Sequence, residues 1–138
     1  MYTAETQIRV RYAETDQMSY VYYGNYAMYF EVGRVEAMRS IGFSYKELED
    51  EGVMMPVLES HFRYLQPGKY DELLTIKTTI PTLPGARIRF EYEVFNEQKK
   101  LITEGWTVLT FLKKDSHRPT RPPQNLVALL KEYFQEVG

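Results

Sequence analysis

Residues 7–12 alternate: Ile8, Val10 and Tyr12 point one way, while Gln7, Arg9 and Arg11 point the other. That pattern predicts a half-buried strand. From about Gly24 to Ile41 the period becomes helical, with Tyr26, Tyr29, Phe30, Gly33, Ala37 and Ile41 on one arc that holds no polar residue. Met28, Val32, Val35 and Met38 add apolar positions on the opposite side, so the helix is expected to be largely enclosed. Gly33 and Ala37, one turn apart, leave room for a facing surface to approach closely. Ser44 and Glu47 have the spacing of a capping box and open a short second helix that should end near Gly52.

Strand signals dominate the rest. Residues 53–65 read as extended, with Leu58, Phe62 and Tyr64 on one face and Glu59, His61 and Arg63 on the other. Pro67-Gly68 turns the chain. Leu74, Ile76 and Ile80 alternate with Thr75, Lys77 and Thr79, and Pro81 to Gly85 makes the next turn. The clearest strand is 87–95, with Ile88, Phe90, Tyr92 and Val94 inward and Arg87, Arg89, Glu91 and Glu93 outward. After a polar loop at Asn96 to Lys100, residues 101–112 are apolar on both faces around Trp106, as in an interior strand. Pro122-Pro123 then precedes a helix whose stripe is Leu126, Leu129, Leu130, Tyr133, Phe134 and Val137. The links between the last three strands are too short for parallel crossovers, so those strands should pair antiparallel. The economical solution is one α+β domain over residues 1–138, with a single antiparallel sheet curled round one apolar helix.

Composition narrows the function. The chain has 138 residues, no cysteine and a net charge of −2. Disulfides, thiolate chemistry and a Cys-based zinc site are excluded, and bulk attraction to nucleic acid is not expected. No apolar run approaches the ~20 residues of a membrane helix, and residues 1–10 lack an apolar signal core, so a cytoplasmic protein is expected. Of the two histidines, His61 faces outward on its strand and His117 lies in a polar turn with no ligand cluster around it. No metal or other cofactor is expected. The 12 tyrosines call for many half-buried rings.

The stretch Tyr12 to Arg34, YAETDQMSYVYYGNYAMYFEVGR, carries the candidate chemistry. Asp16 lies in the loop before the apolar helix. It, or Asn25, reads as a helix cap. Alternatively Asp16 is a nucleophile or general base, and the amides near Tyr23 and Gly24 polarise a carbonyl. This stretch resembles the acyl-CoA thioesterases of the hot-dog fold, specifically the 4-hydroxybenzoyl-CoA thioesterase-like family. The residues that carry the likeness are Tyr12, Thr15-Asp16, Val21-Tyr22-Tyr23, Asn25-Tyr26, Tyr29-Phe30-Glu31 and Arg34. A second patch, Tyr64-Leu65-Gln66-Pro67 with Lys69 and Asp71-Glu72, is similar to the family's turn motif but has Gly68 where alanine is usual.

The resemblance implies a five-stranded antiparallel sheet wrapped around a long central helix, plus a C-terminal helix. It implies sheets paired edge to edge in a homodimer, often a homotetramer, with the active site at the dimer interface. Asp16 becomes the catalytic carboxylate, either attacking the thioester or activating water, and the Tyr23 and Gly24 amides become the oxyanion hole. Tyr23 stands where a large subgroup has histidine, which removes an imidazole but keeps the N–H. Arg87 and Arg89, with Lys69, become candidates for the CoA phosphates, and Tyr22 and Tyr26 for the acyl pocket. An acyl-CoA substrate is implied. A thioesterase for acyl carrier protein and a non-catalytic acyl-CoA-binding module are the competing readings.

Overall fold

The computed structural model describes residues 1–134. Its main sheet contains β1 (Tyr2–Arg9), β3 (Val57–Tyr64), β4 (Leu73–Ile80), β5 (Arg87–Phe95) and β6 (Leu101–Thr110). The order is β1-β4-β5-β6-β3, and every neighbouring pair is antiparallel. A two-stranded sheet pairs β2 (Val53–Met54) with β7 (Leu112–Lys113). Three α-helices are present among the described residues: α1 (Tyr26–Ser40), α2 (Tyr45–Asp50) and α3 (Gln124–Lys131). This is the hot-dog arrangement, with α1 packed against β1, β4 and β5. No helix among the described residues is long and apolar enough to cross a membrane.

Strands β4 and β5 follow their sequence pattern closely: Leu74, Ile76, Ile80, Ile88, Phe90, Tyr92 and Val94 are all buried. Their outward faces carry charges that pair across and along the strands, as in Lys77 with Glu93 and Arg89 with Glu91. Such half-exposed pairs add little stability and keep that face wet.

Helix α1 buries Tyr26, Tyr29, Phe30, Gly33 and Ala37, as its arc predicts, and also Arg34 and Met38. Phe30 is the central ring of a stack, 4.1 Å from Tyr92 of β5 and 4.8 Å from Phe62 of β3. Gly33 is where helix and sheet come closest. A Cβ there would lie 2.5 Å from Thr78 Oγ1 and 2.9 Å from Ile76 Cγ2, both on β4.

Five expectations need correction. The first strand spans 2–9, not 7–12, because residues 2–9 pair in unbroken register with 73–80. Its inward residues Ala4 and Thr6 are too small or polar to advertise a face. Beyond it the chain enters a 3-10 turn at Tyr12–Glu14, which leaves Tyr12 75% exposed. Helix α1 is not fully enclosed, since Ala27, Met28 and Glu31 are exposed on the side away from the sheet. Only half of the capping box forms: Ser44 Oγ accepts the Glu47 N–H at 3.2 Å, while the Glu47 carboxylate bonds Asn125 Nδ2. The extended stretches 53–65 and 101–112 each break in two, because β2 and β7 leave the main sheet to pair with each other. Leu126 and Leu130 of the terminal helix are buried, and Val137 lies outside the described residues.

Gly33→Ala forces a methyl group into β4. It is expected to destabilise the protein by about 1–3 kcal/mol, as overpacked cores do. Gly85→Ala, with nothing within 4 Å of the added carbon, is the control. Urea unfolding of both variants checks this, and equal midpoints would contradict it.

Candidate active site

The site forms where the Asp16 loop, the start of α1 and the Pro67–Lys69 turn meet. The loop is a tight reversal. The Asp16 N–H donates to Tyr20 O at 2.8 Å, and Thr15 pairs with Val21. Ser19 takes a left-handed φ of 62° at its tip. Asp16 Oδ1 accepts the Met18 N–H at 2.8 Å and the Tyr20 N–H at 3.2 Å. One oxygen therefore fixes the side chain, as aspartate does in turns. Oδ2 has no hydrogen-bond partner among the described residues, and no cationic side chain pairs with Asp16 there.

The second motif braces this loop. Val21 N–H donates to Gly68 O at 2.8 Å, and Tyr70 N–H to Ser19 O at 2.9 Å. Tyr20 and Lys69 form an antiparallel bridge. The Glu72 carboxylate closes the turn by accepting the Lys69 N–H at 2.9 Å. The glycine at 68 has a local reason. A Cβ would meet the Tyr26 hydroxyl at 2.9 Å and Val21 Cγ2 at 3.1 Å, so the phenol occupies the room a larger residue needs.

The helix start is open. A 3-10 turn at Tyr23–Asn25 leads into α1. Asn25 occupies the cap position without a side-chain cap bond, and the first turn of α1 holds no acidic residue. Neither Asn25 nor Asp16 caps the helix. Asn25 N–H bonds Tyr22 O, whereas the N–H groups of Tyr23 and Gly24 find no acceptor among the described residues. Two donors at the positive end of a helix dipole are thus left without an acceptor among the described residues.

Asp16, Tyr20, Val21, Tyr23, Tyr26, Tyr64, Leu65, Gln66 and Pro67 line one cavity of about 310 Å³. Its walls are mainly aromatic. The Tyr26 ring lies 5.6 Å from Tyr64 and from Tyr29, and Tyr64 Oη reaches Tyr23 O at 3.4 Å. Burial pushes the Tyr26 phenol above its ordinary value, so it stays neutral as part of the wall.

The predicted site residues are distributed unevenly. Asp16, Tyr23 and Tyr26 share the cavity. Gly24 lies beside it, facing a second groove of about 480 Å³ between α1 and β3 that Met28, Glu31 and Arg34 also line. The Tyr22 ring covers Gly24 and packs 4.5 Å from the Tyr23 ring, outside the cavity wall. Lys69 stands against the Asp16 loop. Arg87 and Arg89 lie on the outer sheet face, away from Asp16. Arg89 is committed to Glu91 at 3.2 Å and to the Trp106 ring at 4.5 Å, with His61 stacked on the same indole. Among the described residues no cluster of three His, Asp or Glu side chains could hold a metal ion.

Glu14 is the residue the sequence reading passed over. It is 5% exposed, and its carboxylate accepts the Arg11 N–H at 2.9 Å, the Tyr29 phenol at 3.0 Å and the Arg11 guanidinium at 3.1 Å. Burial alone would raise this carboxyl, but those three donors outweigh it and hold it below its ordinary 4.5. The available signal was Arg11 three residues before Glu14, the spacing of a one-turn ion pair.

Known proteins share the fold and the family of this chain. The model of the thioesterase superfamily matches residues 18–103, and the chain belongs to that superfamily. It is a thioester hydrolase. YneP of Bacillus subtilis (strain 168), provisionally named an acyl-CoA thioesterase, is 34% identical over 119 residues, covering 86% of each chain. The chloroplastic acyl-acyl carrier protein thioesterase ATL2 of Arabidopsis thaliana is 31% identical over 94% of this chain and 67% of its own length. A solved DHNA-CoA thioesterase from Staphylococcus aureus superposes with a TM-score of 0.87 at 34% identity, covering 99% of this chain and 98% of that one.

Because Glu14 titrates below its ordinary value in the folded state, its contribution to stability is complete above about pH 4.5 and is lost as pH falls through the lowered value. The melting temperature should fall on acidification below that point, and less steeply in Glu14→Gln. Parallel acid melts of both proteins test this, and identical slopes would remove Glu14 from the account.

Proposed function

We propose that this protein is an acyl-CoA thioesterase acting in the cytoplasm, with Asp16 as its catalytic carboxylate and the Tyr23 and Gly24 amides as its oxyanion hole. The observation that carries the reading is one cavity onto which both Asp16 and Tyr23 open. Asp16 Oδ2 and the Tyr23 N–H both lack partners among the described residues. The names of the relatives support the thioester and the CoA.

A thioester carbonyl needs little activation. Polarised by the helix-start amides, it is attacked by Asp16 Oδ2. The C–S bond breaks, the sulfur leaves as thiolate and takes a proton, and water hydrolyses the mixed anhydride. In the other route Asp16 removes a proton from water, and the resulting hydroxide attacks the same carbon. Both demand a free carboxylate oxygen next to unpaired amides. Rapid-quench mass spectrometry of a single turnover separates them, because only direct attack passes through an enzyme carrying the acyl group on Asp16.

Tyr26 and Tyr64 wall the acyl side, with Tyr22 at its rim. Lys69, beside the loop, and Arg87, which has no ion pair among the described residues, are the stronger phosphate ligands, and Arg89 is the weaker because its guanidinium is already engaged. A homodimer, or a homotetramer built from two, completes the site. Tyr22, Tyr23, Met28, Val57, Leu58, Tyr64 and Leu65 are all exposed around the helix start and the free edge of β3. That is the sort of contiguous apolar surface a stable partner covers. The acyl carrier protein reading is supported by the likeness to plant enzymes such as ATL2.

Asp16→Asn is expected to lower kcat by at least about 10²–10³ while melting near the wild type, the scale of losing a principal catalytic group. Thiol release from a panel of acyl-CoAs measures it, and undiminished hydrolysis would sink the assignment. The same panel on carrier-linked thioesters should be cleaved more slowly. Sedimentation at micromolar concentration should give a dimer or tetramer, and a monomer would contradict the shared site.

A further inference from the structure

We infer that Glu14 is a positioning residue of the reaction, the strut that sets the distance between the Asp16 carboxylate and the helix-start amides. The inference rests on the thioesterase reading above and adds to it a residue that touches neither substrate nor reacting atoms.

Glu14 is joined to the helix start by both its peptide and its side chain. Its carbonyl oxygen accepts two bonds, from the Tyr22 N–H at 2.9 Å and from Asn25 Nδ2 at 2.8 Å. Those donors flank Tyr23 and Gly24, the residues whose amides are unpaired. Its side chain reaches the next turn of α1, where Tyr29 Oη donates to Oε1 at 3.0 Å. Arg11 secures the other side. Its backbone N–H bonds Oε1 at 2.9 Å, and its guanidinium bonds Oε2 through Nη2 at 3.1 Å and Nε at 3.3 Å. Asp16 follows only two residues later, on the same rigid reversal.

The chemistry favours a positioning role over simple packing. A buried carboxylate is costly unless paired and hydrogen-bonded, and a hydrophobic residue would fill the same space more cheaply. What an apolar residue lacks is direction. The buried charge accepts from Arg11, in the segment that follows β1, and from α1 at once, so neither can slide along the other. Asn25, which occupies the helix cap position but spends its amide on Glu14 O, fits the same logic. A displacement of a fraction of an ångström between nucleophile and oxyanion donors is enough to cost rate, because both must meet one carbonyl carbon.

The test uses the full-length enzyme in a steady-state assay with its best acyl-CoA. Glu14→Gln keeps one acceptor oxygen but turns an amide N–H₂ toward the Arg11 guanidinium. Tyr29→Phe removes a single oxygen and keeps the ring in place. Both should lower kcat by roughly 10- to 100-fold with KM within about twofold. Their double variant should be no worse than the more severe single, since both cut one linkage. In an Asp16→Asn background, Glu14→Gln should leave the residual rate unchanged, which a general loss of structure would not do. Should Glu14→Gln fail to fold, Tyr29→Phe decides alone. A Tyr29→Phe enzyme with wild-type kcat overturns the inference, as does a further fall of the residual rate in the Asp16→Asn background. If Asp16→Asn itself keeps full turnover, the functional reading fails instead, so the two failures are separable.

Discussion

The approach of α1 to β4 at Gly33 is the constraint from which the rest of the molecule follows. With no side chain at 33, the helix axis drops toward Thr78 and Ile76, and Phe30 enters the gap between Tyr92 and Phe62. Once that stack is made, the helix can neither roll nor slide without breaking close-packed contacts. Its N-terminal end therefore emerges at a set height beside the Asp16 reversal.

That end is electrostatically unfinished. An ordinary helix start is capped by a side-chain oxygen or carries acids in its first turn. Here Asn25 bonds backward to Glu14 O, and the acids lie in the preceding loop. The positive end of the dipole consequently faces a mostly apolar cavity. Within such walls the amides act more strongly on a developing negative charge than they would in water. Keeping the cap away from the helix costs some local stability, and under the proposed mechanism it leaves a place for a substrate oxygen.

The same end of the molecule collects exposed aromatic rings. Tyr12 packs edge-on to Tyr70 at 5.7 Å, and Tyr23 to Tyr64 at 6.1 Å, all partly open to solvent. Arg34 adds a buried cation whose Nε has no partner among the described residues, in the lining of the groove between α1 and β3. This side of α1 is the face that the proposed oligomer would cover.

Strands β4 and β5, the inward arc of α1 and the antiparallel pairing were legible in the sequence, because strict alternation or helical period over eight or more residues admits few alternatives. That Asp16, Tyr23 and Tyr26 lie close together was legible for a similar reason, since they sit within eleven residues at the junction of two periodic elements; their roles in the reaction are proposals. What tertiary structure alone decided are the contacts between stretches distant in the chain. The true extent of β1 is set by residues 73–80, and β2 separates from β3 because residues 112–113 pair with it. The burial of Glu14 depends on Tyr29, fifteen residues away; the Arg11 spacing marks an ion pair but not that a helix will bury it. Local periodicity is encoded residue by residue. Register, close approach and the partners of buried charges belong to the folded chain as a whole.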